Sequence, residues 1–492
     1  MDLTSSYSKL RSVVDVAFNA PLPPQAAISD ALKTLPASLP VTGLGDAVVG
    51  SHLLTDITRG LSGQKNSANY YGFVTGGVLP IAEIADNVAT AFDNSVQVHL
   101  PDQSISTFVE VKALEMLVEL LHLREGWDGK TFTTGATASN ILGLACGREA
   151  VVSKRLAGTS AAELGILGAC LKAGVKDIQI LTSMPHNSLY KAASVVGLGH
   201  ASIKDIPVNE DEPWNLDLSA LEEGLSLATG GVVSIVAISA GEVNTGRFAT
   251  NGASTMRKIR DLCNKYDAWL HVDGAFGVFA RCLPKTAEFS ALHESAGGLE
   301  LADSIAGDCH KMLNVPYDCG FFLTKSPSTL TSVFQNPNAF YLVKDPSGIP
   351  SPLNIGLENS RRFRALPVYA VLLSLGSEGM AEMFTRQVQL ARRVAHFINA
   401  HSAYELLAQP PDRGNTFDNT HIIVIFRAKD EAINKELTQR VNATRKIYVS
   451  GTKWHGKPAV RIAVSTWKVD VERDLSVISA VLDDVVSSYR DL

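Results

Sequence analysis

The sequence predicts an α/β fold with a mostly parallel central sheet, followed by a smaller α+β region. From about residue 130, short apolar strands alternate with helical patterns at a spacing typical of β-α-β units. Val232–Ser239 is rich in β-branched residues, as expected of a strand buried on both faces. Beyond about residue 366, long helical patterns are mixed with strands near 421–426 and 459–464. We therefore expect three parts, which are an N-terminal arm (1–79), a large domain (80–365) and a small C-terminal domain (366–492).

Hydrophobic periodicity places the individual elements. Residues 1 to about 65 hold only short helical patterns, so this segment is expected to be an arm without a core of its own. Apolar residues then recur every three or four positions, which predicts helices over 79–92, 106–123, 188–196, 218–227, 256–266 and 471–489. Short apolar runs predict strands over 177–182, 201–207, 232–239 and 268–272. Ligands of such sheets bind beyond the carboxyl ends of strands, where Asp273 and Lys311 both fall.

Composition and charge exclude several classes of function. The chain has 492 residues, 46% of them hydrophobic, which is enough for more than one core. A net charge of −6 argues against a nucleic-acid partner. The apolar runs are too short to cross a membrane, and the N-terminus lacks the pattern of a signal peptide. The six cysteines form no CxxC pair, so we expect free thiols in the cytoplasm, without disulfides or a metal site.

Two residues at strand ends suggest a covalent cofactor. Lys311 lies between two apolar strands, where an amine can be partly desolvated and can bond to a carbonyl group. Asp273 ends the apolar strand around residues 269–273, and a buried aspartate can keep a pyridine nitrogen protonated. Taken alone, the first could be a surface lysine and the second an acid that closes a strand. Together they indicate an enzyme that uses pyridoxal 5′-phosphate (PLP).

Other motifs could complete such a site. Small residues open a helix in 133–140, where backbone N–H groups could hold a phosphate, although a plain helix start would look the same. His186, between a strand and a helix, could stack on a cofactor ring or be a solvated loop residue. His310 could contact the phosphate or serve local packing. The basic run 361–364 is interpreted as a solvated or interdomain face rather than as a clamp for a substrate carboxylate.

As a set, these motifs resemble the group II PLP-dependent decarboxylases, among them the aromatic-L-amino-acid, tyrosine, histidine and glutamate decarboxylases. The motifs are Thr-Gly-Ala-Thr-Ala-Ser-Asn (134–140), Met-Pro-His-Asn-Ser (184–188), His-Val-Asp-Gly-Ala-Phe-Gly (271–277), Asp-Cys-His-Lys-Met-Leu (308–313) and Arg-Arg-Phe-Arg-Ala-Leu-Pro (361–367). The resemblance runs from about residue 66 to the end. It implies the fold type I architecture of aspartate aminotransferase, and an obligate homodimer with active sites at the subunit interface.

The resemblance also implies roles for individual residues. Lys311 would form the Schiff base, Asp273 would pair with the pyridine nitrogen, and His186 would stack on the ring. Phe73 and Thr75 match family positions near the substrate, which favours an apolar or aromatic side chain. The other expected cofactor contacts are Gly135, Ala136, Thr137, Ala275, Asp308 and His310.

Departures from the family pattern bear on the reaction. Ala138 stands where the family usually has an acid, and Gly241-Glu-Val-Asn-Thr replaces a Gly-Thr-Thr motif. Decarboxylating members carry a loop tyrosine that is thought to supply a proton after CO₂ leaves. No tyrosine lies between Pro346 and Arg361, and Tyr341 is the nearest.

We therefore expect decarboxylation of an L-amino acid to its amine. The alternatives are oxidative decarboxylation–deamination to an aldehyde, or amino transfer. A third possibility, from another class, is a catalytically silent protein that binds PLP. Retention of Lys311, Asp273 and His186 together argues against that third possibility.

Overall fold

A computed structural model of the chain describes residues 2–17, 20–337, 348–409 and 417–490. Tyr341, the tyrosine nearest to the arginine-rich motif, lies outside the described residues. Within these four ranges, no helix is both long enough and apolar enough to cross a membrane.

The described strands are β1 (Tyr70–Tyr71), β2 (Gly129–Thr133), β3 (Asp177–Thr182), β4 (Ile203–Asp205), β5 (Val232–Ser239), β6 (Trp269–Asp273), β7 (Ser304–Asp308), β8 (Gly320–Thr324), β9 (Tyr404–Leu406), β10 (Ile423–Ala428), β11 (Tyr448–Trp454) and β12 (Lys457–Ala463). The described α-helices are α1 (Leu3–Ala17), α2 (Gln25–Lys33), α3 (Asp46–His52), α4 (Thr58–Gly60), α5 (Pro80–Phe92), α6 (Ser106–Leu120), α7 (Ala136–Ser153), α8 (Ala161–Leu164), α9 (Ile166–Ala173), α10 (Asn187–Val195), α11 (Leu218–Ser226), α12 (Ala253–Lys265), α13 (Ser290–Ser295), α14 (Cys309–Met312), α15 (Pro327–Phe334), α16 (Ala365–Ala400), α17 (Glu431–Ala443) and α18 (Val471–Arg490).

The large sheet has the strand order β2-β8-β7-β6-β5-β3-β4. The strands from β7 to β4 are parallel, while β8 pairs antiparallel with both β7 and β2. The prediction of a mostly parallel α/β sheet is confirmed. The strand expected over 201–207 is shorter, because a 3₁₀ turn occupies His200–Ser202 and β4 covers only Ile203–Asp205.

Helix α7 packs against the middle of the large sheet. Most of its residues are buried on all sides, as expected for a helix of small and apolar residues without an amphipathic stripe. It contacts β5, β6, β7 and β8 on one side and α10 and α15 on the other. Its first turn therefore stands beside the carboxyl ends of β6 and β7, at the edge of the sheet where a ligand is expected.

The second sheet has the order β1-β11-β12-β10-β9 and carries α16, α17 and α18. In it, β1 pairs in parallel with β11, with Tyr70 opposite Tyr448. The sequence presents residues 70–77 as a glycine-rich break, so this pairing was not foreseen. Helix α16 is kinked at Gly376, whose φ of 60° is not helical. The expected boundaries near 79 and 365 fall where α5 and α16 begin, and the division into three parts stays a prediction.

Candidate active site

A cavity of about 290 Å³ opens beyond the carboxyl ends of β5, β6 and β7, next to the first turn of α7. Apart from Phe73 and Thr75, all of the site residues predicted from the sequence belong to its lining. The lining consists of Thr134, Gly135, Ala136, Thr137, Ala138, His186, Ser188, Ser239, Gly241, Glu242, Val243, Asp273, Ala275, Phe276, Asp308, His310 and Lys311.

Lys311 is held at the cavity by a buried ion pair. Lys311 lies in α14, the single helical turn that follows β7 without a gap. The Nζ atom lies 2.8 Å from Oδ2 of Asp308, and the exposed fractions of the two side chains are 18% and 4%. Because β7 places Asp308 and α14 places Lys311 one turn later, the strand-to-helix junction alone brings the two charges together.

Asp308 also joins this junction to α7. Its Oδ1 accepts the backbone N–H of Ala136 at 2.5 Å, and the Nε2 atom of His310 lies 3.6 Å from the same oxygen. Burial alone would raise the pKa of Asp308. The charges of Lys311 and His310 and the hydrogen bonds from Lys311 and Ala136 outweigh burial, so that the pKa lies below its ordinary value. The site therefore holds an ionised carboxylate between the lysine and the helix.

The first turn of α7 offers an anion site. The N–H groups of Thr137 and Ala138 have no hydrogen-bond partner within the described part of the chain, and the helix N-terminus carries partial positive charge. A Cβ atom at Gly135 would lie 3.1 Å from Oδ1 of Asp308 and 3.2 Å from Cε1 of His310. The turn can approach these side chains this closely because position 135 is glycine.

Asp273, the last residue of β6, receives hydrogen bonds from neutral donors. Its Oδ2 accepts Nδ2–H of Asn140 at 2.8 Å, and its Oδ1 accepts the backbone N–H of Ala275 at 3.3 Å. Among the described residues, none with a cationic side chain forms an ion pair with this carboxylate. The carboxylate charge is thus oriented by the protein but not neutralised by it.

His186 caps the N-terminus of α10. Its Nδ1 lies 3.2 Å from the backbone N of Ser188 and 2.7 Å from the hydroxyl Oγ of the same residue. Burial and the charge of Lys311 lower the pKa of His186, and they outweigh the carboxylates of Asp273 and Asp308. The imidazole is therefore neutral at neutral pH.

Phe73 and Thr75 lie outside the cavity lining. The side chain of Phe73 is exposed, whereas Thr75 is buried and its Oγ1 lies 2.9 Å from the hydroxyl of Tyr317. The ring of Tyr317 in turn lies 4.5 Å from the ring of His310, centre to centre. Thr75 is thus connected to the cavity wall through Tyr317 and His310.

The arginines of the run 361–364 are paired with acids. Arg361 pairs with buried Glu110, Arg362 with Asp86 at 2.7 Å, and Arg364 with Asp318 at 2.9 Å. These contacts tie the start of α16 to α5, α6 and the loop after α14. All these residues lie within the expected large domain (80–365), so the ion pairs are not interdomain contacts. Each guanidinium already has a carboxylate partner within the protein, which argues against a clamp for a substrate carboxylate.

Several lining residues were not singled out from the sequence. Ser188 links His186 to Asn140, and its position in the motif at 184–188 gave the only signal. Glu242 lies in the segment that departs from the family pattern. Its buried carboxylate accepts hydrogen bonds from the backbone and side chains of Asn244 and Thr245, which makes it the cap of its own turn.

Comparison with known proteins gives a consistent result. The family described as pyridoxal-dependent decarboxylase conserved domain matches residues 67–429. L-2,4-diaminobutyrate decarboxylase from Acinetobacter baumannii is 30% identical over 340 residues, which are 68% of this chain. The aligned part spans 63% of that relative's length.

Solved structures share the fold. Oryza sativa TDC with PLP and tryptamine has a TM-score of 0.81 at 21% identity, and the alignment covers 99% of this chain and 97% of that one. The 4-hydroxyphenylacetaldehyde synthase of Rhodiola rosea has a TM-score of 0.78 at 19% identity and covers 99% and 95% of the two chains. The predicted fold class, PLP fold type I, is confirmed.

Proposed function

This chain belongs to the family of pyridoxal-dependent decarboxylases, and we propose that it removes CO₂ from an L-amino acid and releases the corresponding amine. Membership makes it a PLP-dependent carboxy-lyase. The observation that supports the proposal is the cavity at which Lys311, Asp273 and His186 meet, at the carboxyl edge of the parallel strands.

The residues of this cavity fit PLP. Lys311 offers the amine for a covalent bond, Asp273 a carboxylate for the pyridine nitrogen, and the first turn of α7 two unpaired N–H groups for the phosphate. When bound, PLP supplies an electron sink for the negative charge that remains on Cα after CO₂ leaves. In our proposal, Asp273 holds a proton on the ring nitrogen, and Asp308 keeps the Lys311 amine at the cavity.

His186 is proposed to lie against the cofactor ring and to handle a proton at the substrate Cα. Its imidazole lines the cavity and is neutral, because burial lowers its pKa. The apolar walls contributed by Val243 and Phe276 would keep water away from the reacting atoms. Holding the scissile bond in one orientation is the main task left to the protein.

A screen for CO₂ release would identify the substrate. We propose Thr75 and Phe73 as residues near its side chain, with Thr75 acting from behind Tyr317 and His310. The 30% identical relative acts on L-2,4-diaminobutyrate according to its name, whereas the predicted substrate carries an apolar or aromatic side chain. A screen for CO₂ release should therefore cover the proteinogenic amino acids and 2,4-diaminobutyrate, with Lys311→Ala as the blank.

The absence of a tyrosine between residues 347 and 361 favours a second candidate outcome. If no other group delivers a proton to Cα, oxygen or the cofactor itself competes for the electrons there. A general acid is worth roughly 10²- to 10⁴-fold in rate, so that a partial loss becomes visible as side product. We therefore expect some aldehyde or transaminated cofactor beside the amine.

One product assay separates the candidates. Amine, aldehyde, hydrogen peroxide and keto acid are quantified under air and under nitrogen. Amine alone, identical in both atmospheres, supports simple decarboxylation and refutes the side-reaction proposal. Aldehyde with peroxide under air alone identifies oxidative deamination, and keto acid identifies amino transfer. A protein that takes up PLP on Lys311 but turns over none of the substrates would be a silent PLP binder.

We further propose a homodimer. An apolar groove runs between α5 and α16, and the side chains of Ile84 and Leu373 in it are 60% and 58% exposed. In the arm, Leu39 and Val41 are almost fully exposed. A second copy of the chain would cover the groove and pack the arm. Sedimentation should give a dimer at micromolar concentration, and a wild-type monomer that still turns over would contradict the proposal.

A matched pair of variants locates the interface. Leu373→Glu is expected to weaken the dimer, since it places a charge in the groove. Leu171→Glu serves as the control, because Leu171 is 75% exposed on α9 and lies outside the groove. Equal sedimentation of the two variants would show that the groove is not the interface.

A reducing compartment is the proposed location. The cysteines at 146, 170, 263, 282, 309 and 319 are all free thiols, which suits the cytoplasm. Cell fractionation tests this assignment, and recovery of the protein in an oxidising compartment would contradict it.

A further inference from the structure

We propose that Asn140 is a positioning residue that fixes both Asp273 and His186, at the centre of a directed chain of hydrogen bonds that begins at Trp269. The proposal rests on the proposed function, because it concerns two residues that are assigned to the cofactor there. Asn140 is fully buried in the second turn of α7 and does not belong to the cavity lining.

The amide of Asn140 has three partners. Its Nδ2 lies 2.8 Å from Oδ2 of Asp273 and 3.1 Å from Oγ of Ser188, and its Oδ1 lies 3.0 Å from Nε2 of His271. Since an ionised carboxylate only accepts hydrogen bonds, the NH₂ group must face Asp273. The opposite orientation would place an amide oxygen against the carboxylate.

The orientation of Asn140 dictates the tautomer of His271. Because Oδ1 of Asn140 only accepts, the ring proton of His271 sits on Nε2. Burial lowers the pKa of His271 to about 4, so the ring is neutral and its Nδ1 accepts. The hydroxyl of Ser304, 2.8 Å away, donates to Nδ1, and it accepts Nε1–H of Trp269 at 3.0 Å.

From Asn140 toward Ser188, the chain of hydrogen bonds also bears on the tautomer of His186. The hydroxyl of Ser188 accepts a hydrogen from Asn140 and therefore donates its own to Nδ1 of His186. That nitrogen also faces the backbone N–H of Ser188. The single proton of the neutral imidazole must then sit on Nε2. One amide thus sets the direction of Asp273 and, through the hydroxyl of Ser188, supports the tautomer of His186 that the backbone N–H of Ser188 also requires.

The side chains of this hydrogen-bond chain are tightly packed in the interior. His271 and Ser304 are fully buried and Trp269 is 5% exposed. A Cβ atom at Gly143, one turn after Asn140, would lie 2.3 Å from Cε1 of His271. The imidazole fits against α7 because position 143 is glycine. The carboxylate of Asp273 is thereby oriented without a neutralising cation, which leaves its charge for a protonated ring nitrogen.

Asn140→Leu tests the proposal with a variant of almost the same shape that adds no charge beside Asp273. Asp273 and His271 from β6 face this position, and His186 and Lys311 are the other titrating groups of the site. Leucine cannot donate to Asp273, so the carboxylate is no longer held toward the ring nitrogen and stabilises its protonated form less. We expect the ring nitrogen to lose its proton at lower pH than in the wild type, as read from the ¹⁵N chemical shift of ¹⁵N-labelled PLP on the holoenzyme.

Turnover gives a second readout. At neutral pH, kcat of Asn140→Leu should fall about 10- to 100-fold, which corresponds to one hydrogen bond to a charged group, with a small change in KM. The loss should shrink toward acid pH, where the ring nitrogen is protonated without help. Asn140→Ala, which also removes the donor, should show the same loss and the same recovery. Leu144→Ala, a fully buried residue of the same helix outside the chain, controls for destabilisation.

The outcomes separate cleanly. A wild-type ¹⁵N titration in both Asn140 variants would overturn the proposal, and so would the same shift in Leu144→Ala. The shift to lower pH in both Asn140 variants, absent from Leu144→Ala, supports it. The ¹⁵N measurement needs no substrate. If the proposed decarboxylation fails, the ¹⁵N result is unaffected, and the product assay reports that failure by itself.

Discussion

Replacing Asp308 by asparagine should destabilise the apoenzyme by about 3 kcal/mol. The carboxylate is 4% exposed and holds the Lys311 ammonium at 2.8 Å. Removing one partner of a buried ion pair costs about 3–5 kcal/mol, because the other charge remains buried. We expect the lower end, since 18% of the Lys311 side chain stays exposed. Asparagine can still accept the N–H of Ala136, so the loss isolates the charge.

Urea unfolding of the apoenzyme, followed by tryptophan fluorescence, measures this loss as about a 100-fold shift in the unfolding equilibrium at pH 7. The sign of its pH dependence follows from the pKa of Asp308, which lies below the ordinary value. The stabilisation is present above about pH 4 and is lost as the pH falls through the folded-state pKa. The difference between wild type and variant should therefore shrink in acid.

A double-mutant cycle with Lys311→Met decides whether the ion pair is responsible. In the Lys311→Met background, Asp308 has lost its ammonium partner. The substitution Asp308→Asn should then lower the free energy of unfolding only a little. An equal cost of Asp308→Asn in both backgrounds would refute the reasoning. Glu222→Gln, which breaks an exposed pair with Lys265 at 2.9 Å, is the control and should leave the transition in place.

Other predictions concern the cofactor and the pH dependence of stability. Lys311→Ala should lose turnover and the visible absorbance of PLP bound through a lysine. Its far-UV circular dichroism should stay unchanged. An active variant with the wild-type absorbance spectrum would refute the assignment of Lys311. Asp273→Asn should retain PLP but lose several orders of magnitude in kcat, and an unchanged kcat would exclude the pairing with the ring nitrogen. His421→Leu should stabilise the protein below pH 6.5. Burial, aided by the charge of Arg392, lowers the folded-state pKa of His421 to about 3, whereas the unfolded chain takes up the proton near pH 6.5. Chemical unfolding between pH 7 and pH 4 should show a difference that grows by up to about 1.4 kcal/mol per pH unit, and parallel curves would contradict it.

Several strands and helices of the large sheet, and the position of Lys311 and Asp273 at strand ends, were accessible from the sequence. Strands β3 and β5 have the predicted bounds, because a run of β-branched residues is a local signal. Lys311 and Asp273 could be proposed together because parallel strands bring their carboxyl ends to one edge, whatever the intervening loops do. Periodicity and strand direction need no knowledge of distant partners.

Contacts between segments far apart in the chain were decided by the tertiary structure alone. The bond from Ala136 to Asp308 joins residues 172 positions apart, and that from His271 to Asn140 joins residues 131 positions apart. No local pattern marks Asn140 as the centre of a hydrogen-bond chain, since its donors and acceptors come from α10 and β6. The same holds for β1, which acquires its partner from β11 near the other end of the chain. The sequence by itself thus determined which chemical groups are present and at which strand ends they stand. Packing around α7 determined how each group is oriented and paired, because a hydrogen-bond partner is a property of three-dimensional proximity and not of sequence spacing.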